Sequence, residues 1–480
     1  MSGPGRNSER FTPGRGLAVI AVAALALVVM ALAVGGQLLR AGRAGAAEGV
    51  PVNQTLPRIS GIPQVGVLLK ASHGKWSGSP TSYAYRWRRC NAVGRECKGI
   101  STATSQTYRV AVADVGKTLR VAVTAVNAVG RSKAALSLPT AVVTAAVRHL
   151  EYVLTSGTVN VYSIDEGFAE LESFSLPDSA GVRGVEECPA TGVLYVSYGG
   201  QGAGSNGSAL AYSLLEKKLL WQKNYSHGID SFALSKDCSK LYMPVGEYDA
   251  SGEWKIVNTA TGEDEGSIST PGSGGHDGTL SFDGKLLVMG EKTYSHLVLY
   301  HAETAKVQTQ SPALVNGVRP NTVNGADSEV FTTASGYDGF QVSSTAEGGA
   351  IQYTENFNEG GSCGQSTCSH GISLSPDNKE VAVIDAVHNA VQFWNVEGVA
   401  TGLAPAHVAT VPVHLVSEGW VQHSYDGRYL FVGDSGDVIS TATHTVVAHL
   451  AALEGTRQSL EVDWEGTRTV ATTQRTGVGR

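Results

Sequence analysis

At 480 residues the chain is long enough for two or three domains. Only 16% of it is charged, against 58 glycines and 4 methionines, a balance that suits a turn-rich β protein and argues against a helical cytosolic one. Residues 1–50 hold five Arg and two Glu, which leaves 31 basic and 41 acidic residues for the remainder. A surface of that sign excludes nucleic acid as a partner, because phosphate binding needs basic patches.

The first element is a membrane signal. Arg6, Arg10 and Arg15 precede an uncharged stretch from Gly16 to Gly36, about the length that crosses a bilayer as a helix. The positive flank predicts a cytoplasmic N-terminus and an exported remainder. Ala44-Gly45-Ala46 resembles a small-residue cleavage site, so residues 1–46 read as a cytoplasmic tip followed by a transmembrane anchor or a cleaved signal peptide. The expected location is the cell membrane, single-pass with the bulk outside, or secretion if the signal is cut. Six cysteines in such a chain suggest disulfides. Cys90 and Cys97 flank the short loop NAVGRE, Cys363 and Cys368 flank GQST, and Cys188 and Cys238 are 50 residues apart. There is no C-x-x-C, which weakens a metal reading of these cysteines.

Residues 47–56 read as a linker. Over 57–145 come short alternating strands, among them YAYRWRRC, TYRVAV and LRVAVTAVNAVG (Leu119 to Gly130). One buried face per strand is the pattern of a β-sandwich, with Trp87 placed where a buried tryptophan would sit. Trp76, Trp87 and Tyr108 read as core residues; as a functional alternative they would make a sugar-stacking platform. The run from Ile59 to Gly130 resembles the immunoglobulin-like repeats of bacterial cell-surface proteins. That resemblance implies a spacer or adhesion module.

From His149 to the C-terminus a motif returns: apolar-x-Ser-x-Asp-Gly/Asn-Lys/Arg followed by an alternating strand. It is clearest in LSFDGKLLVMG (Leu280 to Gly290), LSPDNKEVAVID (Leu374 to Asp385) and HSYDGRYLFVGD (His423 to Asp434). The turn aspartates Asp237, Asp283, Asp327, Asp377 and Asp426 recur every 44 to 50 residues. That period, with several short strands inside it, marks a β-propeller over 149–480. Innermost strands are expected to begin near Arg183, Asp230, His276, Asn321, His370, Gly419 and Gln458, which makes seven, with the two termini sharing one blade to close the ring. The segments HGISLSPDNKEVAVIDAVHNAVQFWNV and GWVQHSYDGRYLFVGDSGDVISTATHTVVAHL resemble the YVTN/lactonase-like (WD40-like) seven-bladed propellers of bacterial secreted and surface proteins. The fold class expected is therefore all-β: an N-terminal helix, an immunoglobulin-like sandwich and a seven-bladed propeller. The resemblance fixes function poorly, since that fold class includes lactonases, lyases and binding proteins.

The repeated turn aspartates read as structural, because Asp and Gly are favoured there for backbone reasons. Residues opening each innermost strand are different, since they surround the mouth of the axial channel. They give Arg183, His227, Asp230, His276, Arg319, Asn321, His370, Trp420 and His423 as candidate ligand contacts, with Arg183 and Arg319 as anion clamps. Loops between second and third strands add Glu247, Glu291, Asp385 and His388 to the same face. The bland alternative is a hydrated funnel. A third reading is a divalent metal held by His227, His276, His370 and Glu291, as in propeller lyases and lactonases. For an enzyme, His276, His370 and Asp385 are the catalytic candidates. No G-x-S-x-G elbow is present. The function expected is an exported, membrane-anchored surface protein whose propeller binds a cell-envelope glycan, a small anion or another protein at the mouth. The alternative is a lactonase- or lyase-type enzyme using the same mouth.

Overall fold

The computed structural model describes residues 49–473 apart from 178, 201–204, 248–251, 310–312, 347–349, 359–360, 362 and 365–366. The expected N-terminal helix lies outside the described residues. Among those described there is no α-helix, and no helix is long and apolar enough to cross a membrane.

The N-terminal unit is a sandwich of two main sheets with a two-stranded ladder of Val52–Thr55 and Lys75–Ser77 beside them, so residues 52–55, expected as linker, are paired strand. Strand Ser82–Cys90 pairs antiparallel with Thr118–Val126 along its whole length, and the short strands Lys98–Gly99 and Ala135–Leu136 flank this pair. A second sheet contains Ile59–Ser60, Leu68–Ala71 and Thr107–Arg109. Period-2 alternation along Thr118–Val126 turns Leu119, Val121 and Val123 into the core, where they meet Leu69, Ala71 and Trp87. Trp87 is fully buried; its indole N–H donates to Ser105 O at 3.0 Å and its ring stacks on Tyr108 at 5.4 Å. Trp87 and Tyr108 thus hold the sandwich together. The Cys90–Cys97 disulfide closes the hairpin that follows the tryptophan strand.

The C-terminal unit is a β-propeller. Six four-stranded antiparallel sheets follow one another in sequence order. Their innermost strands are Val182–Cys188 (sheet one), Ala233–Leu234 (two), Gly275–Leu280 (three), Val318–Val323 (four), Ile372–Leu374 (five) and Trp420–His423 (six). Each innermost strand contacts the next, and Gln458–Glu465 of a seventh sheet joins sheet six back to sheet one. The seventh sheet has the order Ala169–Ser175, Thr158–Ser163, Val147–Thr155, Gln458–Glu465, Arg468–Thr472. The start of the propeller therefore supplies its three outer strands. The end supplies the innermost strand and a fifth strand on the axial edge. Strand Val147–Thr155 pairs with Gln458–Glu465 from Val147↔Glu465 to Leu154↔Gln458, so ring closure rests on one long antiparallel ladder.

The recurrent motif is a hydrogen-bonded turn. In four copies the serine hydroxyl donates to the aspartate two residues on: Ser235 to Asp237 at 2.7 Å, Ser281 to Asp283 at 3.0 Å, Ser375 to Asp377 at 2.7 Å and Ser424 to Asp426 at 2.8 Å. The same serine accepts the backbone N–H that opens the next strand, as from Leu286 and Tyr429 at 3.0 Å. The residue after the aspartate takes positive φ: Cys238 58°, Gly284 80°, Asn378 61° and Gly427 76°, which is why Gly and Asn recur there. Sheet four departs from the expected register. There Asp327 itself occupies the left-handed position, with φ 56°, and the Asn324 side-chain oxygen accepts the N–H groups of Ser328 and Glu329 instead.

Cys188–Cys238 ties the end of one innermost strand to the turn of sheet two, and Cys363–Cys368 forms in the loop before the innermost strand of sheet five. Replacing both Cys188 and Cys238 by alanine should cost about 2–4 kcal/mol, read as a lower denaturant midpoint with a somewhat steeper slope, because the uncrosslinked denatured chain exposes more surface. An unchanged midpoint would show that the bridge adds nothing to the ring.

Candidate functional site at the axial mouth

Because strands advance roughly 3.3 Å per residue, only the first one or two residues of each innermost strand, and those just before it, reach the mouth. Sheets one to three bring four buried side chains together. The Arg183 guanidinium bonds Asp230 Oδ2 at 2.7 Å and also Glu247. Asp230 Oδ2 lies 2.5 Å from His276 Nδ1, and Lys292 Nζ bonds Glu247 Oε1 at 2.8 Å. On the other side of the imidazole, Arg319 Nη1 of sheet four is 3.4 Å from His276 Nε2, and Arg319 Nε donates to Ser335 Oγ at 2.8 Å.

The ring of His276 meets His370 of sheet five at 5.6 Å, and His370 meets the Trp420 indole of sheet six edge-on at 5.9 Å. Arg457, just before the innermost strand of sheet seven, bonds Glu418 and comes within 3.5 Å of His370 Nδ1. All seven sheets thus contribute a side chain to one chain of contacts, from Arg183 of sheet one to Arg457 of sheet seven.

The electrostatics fix the state of His276. Burial pushes its pKa down to about 4; Asp230 opposes this, and Arg319 and Arg183 add to it. The ring is therefore neutral near pH 7. Its Nδ1–H is donated to Asp230, and Nε2 keeps a lone pair beside the Arg319 guanidinium. A basicity that low suits a hydrogen-bond acceptor better than a general base, which works best near the operating pH.

Asp230, Glu247 and His276 also have metal-ligand spacing. Yet both carboxylates already bind cationic side chains, Arg183 and Lys292, so the donor set does not fit a divalent ion. The residues expected to share one metal do not share one point. His276 faces Asp230, and His370 faces Glu418 and Arg457. His227 is exposed. Glu291 packs by Thr270 and Gly272, and burial pushes its pKa up to about 7.

Two other expected contacts lie deeper than the mouth. His423 ends its strand three residues after Trp420, is fully buried, and has Nδ1 2.9 Å from Ser373 Oγ between sheets five and six. Burial lowers its pKa to about 3. Asn321 is fully buried two residues beyond Arg319. Asp385 belongs to a separate cluster with Asp338 and His388 on the same face; it accepts from His388 Nδ1 at 2.9 Å and Gln392 Nε2 at 2.7 Å.

Lys292, Glu418 and Arg457 complete the network and were not among the residues expected from the sequence. A signal for Arg457 was present: Gly181-Val182-Arg183, Gly317-Val318-Arg319 and Gly455-Thr456-Arg457 are the same Gly-x-Arg triplet at the same point of three sheets.

The ring of sheets and its polar axial mouth define a β-propeller with a candidate ligand site at one end of its channel. No family model and no curated protein matches the chain. Among solved structures it is similar to a functionally unknown protein from Desulfotomaculum acetoxidans, with 11% identity and a TM-score of 0.51 over 64% of this chain and 96% of that one. It is also similar to the periplasmic gluconolactonase of Pseudomonas aeruginosa, with 16% identity and a TM-score of 0.49 over 68% and 98%. A third likeness is to Kuenenia stuttgartiensis hydrazine synthase, with 14% identity and a TM-score of 0.49 over 67% and 92%. At these identities the likeness is one of fold.

Proposed function

We propose that this is an exported surface protein in which an immunoglobulin-like module carries a YVTN-like seven-bladed propeller, and that the propeller binds a small anion at the axial mouth. The carrying observation is the juxtaposition of the Arg319 guanidinium with the acceptor nitrogen of a neutral, Asp230-held His276. Such a pair offers a cation to a carboxylate or phosphate, with the imidazole lone pair holding the guanidinium in place, and the His370 and Trp420 rings wall the same space. Export is supported by the uncharged stretch after Arg15 and by three disulfides. Attachment to the membrane would run through residues 1–46.

Calorimetry of the purified protein against sugar acids, uronates and inorganic phosphate tests the site. Replacing Arg319 by Gln should weaken the best ligand by at least about tenfold, the worth of one charge-assisted hydrogen bond. Unchanged affinity in an R319Q/H370A double variant would move the site away from the mouth. The second reading, a lactonase- or lyase-type enzyme, draws on the Asp230–His276 pair, which has the form of an oriented catalytic histidine. Turnover of a lactone or uronate by the wild type that is lost in H276A would favour it.

A further inference from the structure

At the end of the channel opposite the mouth, a second polar cluster lies on the seam where the propeller closes. Cross-strand pairing sets His149 against Asp463 and Glu151 against Glu461. Alternation along each strand puts all four side chains on one face, turned toward sheet six. His149 Nδ1 is 2.7 Å from Asp463 Oδ1 and 3.3 Å from Glu461 Oε1. These three residues offer ligand atoms within 4.8 Å of one another.

Glu151, Glu461 and Asp463 are at most 3% exposed, and no Lys or Arg among the described residues forms an ion pair with any of them. Tyr425 N–H donates to Glu461 Oε2 at 2.6 Å. Neither carboxylate oxygen of Glu151 has a hydrogen-bond partner of good geometry; the Ser459 hydroxyl relieves only part of the cost of burying it. Three buried carboxylates facing one imidazole need added positive charge, which protons or a metal ion can supply. His149 keeps 27% of its side chain exposed, so the pocket has an entrance. The axial mouth differs in this respect, because its carboxylates already hold Arg183 and Lys292.

We propose that His149, Glu461 and Asp463, with the buried Glu151 carboxylate adding negative charge beside them, bind one divalent transition-metal ion that clamps the first strand of the propeller to its last. An imidazole with carboxylates suits Mn2+ or Zn2+ better than Ca2+. The ion bridges residues about three hundred positions apart in sequence, so it stabilises the closed ring. This site does not depend on what the mouth binds.

The test uses the purified full chain. After stripping with chelator and dialysis against Mn2+ or Zn2+, plasma mass spectrometry should count about one ion per chain, and melting should shift upward on refilling. E461Q removes a buried charge, so its metal-free form should melt no lower than the wild type. It should nevertheless lose the metal-induced shift, which separates loss of the site from misfolding. H149A should lose the ion too, while H276A at the mouth should keep it. The proposal is overturned if neither ion binds the wild type at millimolar concentration. It is equally overturned if E461Q and H149A retain full occupancy, or if only H276A abolishes binding. A melting shift with Ca2+ alone would overturn the assignment of metal class.

Discussion

Replacing Arg183 by methionine should destabilise the propeller by about 3–5 kcal/mol, the range for removing one partner of a buried ion pair. Arg183 is 7% exposed, and its partners Asp230 and Glu247 are 2% and 5% exposed. Without the guanidinium, Asp230 still accepts from Ser231 and faces His276, and Glu247 still pairs with Lys292, but Asp230 loses its one always-charged partner and Glu247 one of two. The loss should therefore arise from charge left buried, not from methylene packing, which methionine largely preserves. The triple variant R183M/D230N/E247Q separates the two causes. It should recover at least half of the lost stability in guanidinium denaturation, because neither buried carboxylate charge remains and the Lys292 ammonium, released from Glu247, keeps contact with water. If the triple variant is as unstable as R183M, the guanidinium acts through packing and the electrostatic account is wrong. His276 gives a second readout. With Arg183 gone, one of the charges that lowers its pKa is removed, so NMR titration should find it protonating at higher pH.

Glu187 should make the propeller lose stability as pH rises. It is 1% exposed at the end of the innermost strand of sheet one. Burial lifts its pKa from 4.5 to about 8, with the Thr469 hydroxyl opposing. Because the folded value is the higher one, the protonated form is compatible with folding. Its contribution is intact below about pH 4.5 and is lost progressively as pH climbs toward 8. At pH 7 the interval above the unfolded value corresponds to about 3 kcal/mol. E187Q mimics the neutral form, so it should match the wild type near pH 4 and melt several degrees higher by pH 8. Other groups titrate in the same range, but the difference between the two proteins isolates this one. A constant gap in melting temperature from pH 4 to pH 9 would show that ionisation of Glu187 plays no part.

Much of the propeller was legible in the sequence because its signals are local. Ser-x-Asp-Gly/Asn-Lys closes a turn through hydrogen bonds that span five residues, as Ser281 shows with Asp283 and Leu286. The spacing of those turns then sets the phase of every innermost strand. That phase placed Arg183, Asp230, His276, Arg319, His370 and Trp420 at the mouth. It was too coarse for His423 and Asn321, because two or three residues along a strand move a side chain roughly 7–10 Å down the channel. In sheet four the turn used Asn324, not an aspartate, so counting from Asp327 placed the left-handed residue one position late.

The sequence by itself determined the all-β class, the turn that recurs along the propeller, the cysteine pairs across short loops and the polar character of the strand starts. Each of these is set by residues within a few positions of one another, where backbone preference and side-chain alternation act directly. Only the tertiary structure decided how the ends share the closing sheet, and which charges neutralise one another at the mouth. It alone set His149 beside Asp463, 314 positions away. Those contacts depend on how the ring closes and on the register of one long ladder, and no local pattern carries that information.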